Sequence, residues 1–213
     1  MTAANFALAL LLGLASQAQQ FRDAVPACEA DRKHCFGIEL FVVVEGGGPV
    51  QTPSWIAKQI AHANRLFEPV EVAFELADVH FVSSTWAHVH SRLDRDRLGR
   101  RERTPGRIHV FMVRQLDDVD IEGNLLYGVH WRDRADTAHR WIIVSARDSS
   151  STVLAHEMGH YFGLPHSSYD VSVMNKQPRQ VPSWPDRIFA DPELAKARQH
   201  RDRMITAGFL APR

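Results

Sequence analysis

Residues His156, Glu157, His160, Gly163 and His166 stand together in the segment 153–175, VLAHEMGHYFGLPHSSYDVSVMN. On a helix, His156 and His160 share one face about one turn apart. Two neutral imidazoles placed in this way can bind one Zn2+ at roughly 2.0–2.1 Å each. Glu157 leaves the same turn without competing for that position, and it is placed to take a proton from a water beside the ion. A hydrolytic zinc site needs a third protein ligand and one open position. Gly163 tolerates positive φ and lets the chain turn sharply out of the helix, so that His166, three residues on, can swing back to the same metal. The full pattern is H-E-x-x-H-x-x-G-x-x-H. The bare H-E-x-x-H also arises by chance, whereas the longer form fixes five chemically meaningful positions. The chemistry such a set supports is metal-assisted hydrolysis, with one catalytic Zn2+ and Glu157 as general base.

Several elements must hold these residues. The pattern predicts a helix over 151–162, closed by Gly163 in a C-cap role. Upstream, FGIELFVVVE (36–45) reads as a strand ending at three glycines and Pro49. Apolar residues at helical spacing predict a helix over 54–67, capped by Ser54 and ended by Pro69. Alternation over 70–82 predicts a half-buried strand, broken near Asp78. The charge-rich stretch 92–107 reads as a solvated helix and loop, since its mixed signs argue against a basic docking patch. Two more strands follow at 108–113 and 140–145, with a long polar loop between them, and a last helix covers 191–207. This order implies an α+β fold, a mixed twisted sheet with two long helices.

The zinc segment resembles the metzincin peptidases, and among them the matrixins, whose segment has the form HExGHxxGLxHSxxxxxxM. The chain matches that form from His156 to Met174, including Gly159, Leu164 and Ser167. The resemblance implies a metzincin-like zinc peptidase catalytic domain with Met174 as the Met-turn residue, an apolar floor beneath the ligands. A flexible thioether suits such an irregular gap. It also implies a peptide or protein substrate bound as an extended strand along a sheet edge, supplied here by 107–113 or by the loop 123–131. The chain departs from the matrixin pattern at Pro165, where Asp is usual, and at Asn175 and Lys176, where Tyr-Pro is usual. The first change removes a carboxylate from behind the ligands. The second alters the wall of a specificity pocket. No matrixin-type cysteine-switch propeptide is expected.

The run FALALLLGLA (6–15) is too short for a membrane span and suits the apolar region of a secretory signal peptide, with cleavage after Ala18. Its competitor is a buried N-terminal helix. The expected organisation is a signal peptide over 1–18, an N-terminal segment over 19–36 and the catalytic domain over 37–213. The product is then secreted or periplasmic, without a stable membrane anchor, and monomeric. Cys28 and Cys35, the two cysteines of the chain, suit a disulfide closing a small loop in an oxidising compartment. Two free thiols, or one thiolate as a latency ligand, are the alternatives. Lys and Arg balance Asp and Glu at 25 each, which points to no nucleic-acid partner.

Tyr127, His130 and Tyr169 are candidates for polarising a substrate carbonyl, with ordinary structural roles as the simpler reading. His130 and His139 could share a structural metal, although no compact ligand spacing supports it. The rival to hydrolysis is a secreted zinc-binding module without catalysis, against which the intact Glu157 argues.

Overall fold

The β-branched run expected as a strand forms an interior strand of the sheet, buried along nearly its whole length as befits a strand covered on both faces. In this computed structural model, residues 3–29, 32–100, 104–137, 139–147, 150, 152–177 and 182–213 are described, with side chains from residue 13 onward. The strands are β1 (His34–Glu45), β2 (Gly48–Pro49), β3 (Val72–Val82), β4 (His88–Val89), β5 (Ile108–Val113), β6 (Gln115–Leu116), β7 (Gly128–Arg132) and β8 (Arg140–Ser145). The helices are α1 (Ala3–Ala24), α2 (Pro53–Phe67), α3 (Arg92–Gly99), α4 (Val153–Tyr161) and α5 (Asp191–Thr206).

β1 pairs in parallel with β3 on one side and β5 on the other. β8 continues the parallel set, and β7 closes the edge in antiparallel orientation. β4 and β6 form a separate two-stranded parallel ribbon. The mixed α+β architecture is as expected, and α1 and α3 add to its two long helices α2 and α5. β1 starts within the segment 19–36, and Cys35 and Phe36 are already buried in the sheet.

Several details differ from the sequence reading. β3 is continuous; near Asp78 it carries a register shift, where Ile38 pairs with Leu76 and Glu39 with Asp78. The cap of α2 is Thr52 rather than Ser54: its hydroxyl accepts from Trp55 N–H at 3.2 Å, and Pro53 opens the helix. The segment 107–113 is no sheet edge, because β5 lies between β1 and β8. The edge is β7, which arises inside the stretch read as loop. Within 92–107, α3 is less solvated than its charges suggest. Arg95 is buried, with its guanidinium over the Trp131 ring and bonded to the Asp117 carbonyl at 2.6 Å. Residues 101–103 and Ser151 lie outside the described residues.

α1 passes through the expected cleavage point. Ala18, Phe21 and Val25 are buried, and Phe21 meets Phe81 edge-on at 6.2 Å. Among the described residues no helix is long and apolar enough to cross a membrane. Cys28 and Cys35 are joined in a disulfide, so neither thiol is free to act as a latency ligand.

If residues from Gln19 onward belong to the folded unit, Phe21→Ala should cost about 3–5 kcal/mol. Denaturant unfolding of the purified protein measures this, and an unchanged midpoint would mean that the segment is not part of the cooperative fold.

Candidate metal centre

α4 carries His156, Glu157 and His160 and packs against α2, β7 and β8. Its first turn has no side-chain cap from Thr152. The buried Gln59 of α2 substitutes: its Oε1 accepts from Leu154 N–H at 3.1 Å, while its Nε2 donates to the Ser150 carbonyl at 2.6 Å. An otherwise orphaned helix donor is thereby satisfied from a neighbouring helix.

The helix ends as the sequence requires. Gly163 has φ +81, and its missing Cβ leaves room for the His200 ring of α5. The turn brings His166 back, with its Nε2 at 3.0 Å from that of His160. One ligand atom from each of His156, His160 and His166 lies within 4.8 Å of the others. A tetrahedron built on 2.0–2.1 Å metal–nitrogen bonds has edges of about 3.4 Å, so the spacing fits one ion. The tautomers fit as well. His156 Nδ1 donates to the Val173 carbonyl at 2.8 Å and His160 Nδ1 to the Leu164 carbonyl at 2.7 Å. The Nε2 lone pairs are therefore left for a metal. Burial pushes His156 down to about 3 and His166 to about 4, and it lowers His160, so all three imidazoles are neutral, as ligands must be.

Glu157 is buried beside this cluster. Burial pushes its carboxyl up to about 8, opposed by the backbone N–H of His130. A Cβ on Gly128 would fall 2.9 Å from Glu157 Cγ, so only glycine lets β7 pass this close. β7 thus passes directly beside Glu157, and among the described residues no strand pairs with its other edge.

Met174 is fully buried below the helix, and its sulfur occupies the space a Cβ on Gly159 would take. Three further residues, none singled out from sequence, hold its loop. Arg187, also buried, donates to the Asn175 carbonyl at 2.7 Å and the Gln177 carbonyl at 3.1 Å, and its guanidinium lies 4.0 Å from the Trp184 ring centroid. Ser172 binds both carboxylate oxygens of Glu193 and accepts from Met174 N–H at 2.9 Å. Neither Arg187 nor Glu193 sits in a recognisable motif; only their burial, which sequence does not show, marks them. Asn175 serves the same loop, with its amide bonded to the Tyr169 carbonyl and to Gln177 N–H.

Of the other candidates, His130 lies beside the cluster, through its backbone N–H on Glu157 and in the cavity next to His160. Tyr127 and Tyr169 are exposed. His130 packs edge-on against Tyr161 at 5.7 Å. His139 is buried near Asp133 and Trp141, and His130 and His139 form no shared ligand cluster among the described residues. Beside His160 lies a cavity of about 480 Å3, lined also by His130, Arg132, Arg134, Pro165 and Lys196.

A sequence model of the matrixin family matches residues 75–184, just over half of the chain, from within β3 to beyond the Met174 loop. Two solved structures share the fold. An archaemetzincin from Methanopyrus kandleri is similar at TM-score 0.54 and 16% identity, over 82% of this chain and 100% of its own. Metalloproteinase-II from Bacteroides fragilis is similar at TM-score 0.55 and 14% identity, over 82% of this chain and 55% of its own. No curated protein matches the sequence.

If Arg187 holds the Met174 loop, Arg187→Met should strand the buried Asn175 carbonyl at about 1–3 kcal/mol and release the Gln177 carbonyl to solvent. The readout is a lower melting temperature together with weaker zinc retention in competition with a chelator. Wild-type values for both would remove Arg187 from the support of the site.

Proposed function

The chain belongs to the matrixin family of zinc-dependent peptidases, and on that premise we propose that it is a secreted endopeptidase in which His156, His160 and His166 hold one zinc ion and Glu157 is the general base. The observation that carries this reading is the convergence of three neutral imidazoles on one point, with a buried carboxyl one residue from the first of them.

When bound there, zinc acidifies water and polarises a carbonyl as a Lewis acid. The Val173 and Leu164 carbonyls orient two of its ligands, and Met174 closes the space beneath them. Glu157 takes a proton from the attacking water at a carboxylate oxygen as the water oxygen bonds to the scissile carbonyl carbon. It then delivers that proton to the amine nitrogen as the C–N bond breaks. The substrate backbone pairs as an extended strand along the free edge of β7. Arg132, Arg134 and Lys196 line the neighbouring cavity with no carboxylate among its lining residues, which favours an acidic substrate side chain there.

The apolar run 6–15 and the Cys28–Cys35 disulfide support export, with a signal peptide over 1–18, a disulfide-bearing segment over 19–36 and the catalytic domain over 37–213. The enzyme acts as a secreted or periplasmic monomer.

Glu157→Ala should keep zinc and lose about 10²–10⁴-fold in peptide hydrolysis, while His160→Ala should lose the metal. Elemental analysis and a peptide-library assay read these two effects. Full activity in Glu157→Ala would sink the general-base role, and a zinc-loaded wild type that cleaves nothing would be a binding module instead.

In the same library, paired substrates differing only by Glu against Gln test the cavity. Reversing Arg132 and Lys196 to Glu should lower the preference for Glu about tenfold. An unaltered ratio would show that the cavity does not read charge.

A further inference from the structure

We propose that the chain carries a second metal site, made by His88, His90 and Asp117, which takes a borderline divalent transition ion such as Zn2+ and staples the root of the loop that leads to β7. The site comes from strand alternation. β4 and β6 pair with His88 opposite Gln115 and Val89 opposite Leu116. Val89 and Leu116 are fully buried, so the residues on either side of them project to the other face. Asp117 N–H donates to the Val89 carbonyl at 3.0 Å, which extends the register to His90 and Asp117. Two imidazoles, a carboxylate and an amide thus share one polar face.

Their contacts match a cation better than a hydrogen-bond network. One ligand atom from each of His88, His90 and Asp117 lies within 4.8 Å of the others. The His88 and His90 ring centroids are 3.4 Å apart. Asp117 reaches both rings, with one oxygen 2.5 Å from His88 Nε2 and the other 3.3 Å from His90 Nδ1. His88 Nε2 also meets the Gln115 amide nitrogen at 2.8 Å. One ring nitrogen cannot donate to the carboxylate and accept from the amide at once. A cation removes the conflict by drawing lone pairs from both imidazoles and the carboxylate, and with its amide turned Gln115 offers a fourth. Imidazole ligands select zinc-like ions over calcium, which takes oxygen ligands throughout. The three side chains are partly open to solvent, so an ion can enter.

The location gives the site a consequence. Leu116 and Asp117 open a loop whose far end returns beside them: Asp117 bridges to Leu125, and Leu126 N–H donates to the Leu116 carbonyl at 2.8 Å. Two residues later β7 begins. An ion on His88, His90 and Asp117 ties this loop root to the segment before α3. Any effect on substrate pairing rests on the proposed peptidase reading, but the metal binding does not.

The test is zinc stoichiometry of the full chain after equilibrium dialysis against micromolar zinc. Wild type should hold two ions per chain. His90→Ala, a change at an exposed side chain, should hold one, and so should Asp117→Asn. The His156→Ala/His160→Ala protein, checked for folding by circular dichroism, should keep one ion, and added zinc should raise its melting temperature by several degrees. That rise should vanish when His90→Ala is added. A single ion in wild type that persists in His90→Ala overturns the proposal, as does a folded His156→Ala/His160→Ala protein that binds none. Two bound ions without peptide cleavage would instead defeat the peptidase reading and leave this site standing.

Discussion

The hydrogen bond from His156 Nδ1 to the Val173 carbonyl joins the helix of the metal cluster to the loop beneath it. A histidine can offer a metal only the nitrogen its other contacts leave free, so the carbonyl's position decides which way the ring faces. Val173 is in turn held by its neighbours. Its N–H reaches the Ile188 carbonyl at 2.9 Å, and Met174 rests where Gly159 has no side chain. Ser172 is anchored on Glu193 at the start of α5, and Arg187 gathers the carbonyls on the far side. The orientation of one imidazole thus depends on residues spread from Gly159 to Glu193.

The sheet sets the second boundary of the site. β5 and β8 are buried parallel strands, and β7 runs antiparallel against β8 with no strand on its other edge among the described residues. α4 crosses close enough that Gly128 must be glycine for Glu157 to fit. A buried carboxyl, a free sheet edge and the three imidazoles therefore occupy one place. Gln59 fixes that place from the opposite direction, because it caps the helix on which the first two imidazoles ride.

Charge divides the surroundings in a useful way. The cavity beside His160 collects Arg132, Arg134 and Lys196 from β7, the turn after it and α5, elements distant in sequence. The ribbon of β4 and β6 collects His88, His90 and Asp117 in the same manner. Both groupings come from strand and helix placement, and neither has a spacing that a motif would catch.

Local rules made much of this legible in advance. The helix of the zinc motif, the Gly163 turn and the strands at 108–113 and 140–145 all follow from residue type and short-range spacing, because covalent geometry ties such residues together. The disulfide was one of several open readings, as spacing alone does not join two thiols. Misreadings arose where the deciding contact was remote. β5 looks like an edge only until β8 pairs with it, and Arg95 looks solvated only until Trp131 covers it. The sequence by itself determined which side chains could bind a metal and move a proton. Tertiary structure alone decided which strand ends the sheet beside α4 and which distant residues orient the imidazoles, because those depend on pairing and burial between segments that no local spacing connects.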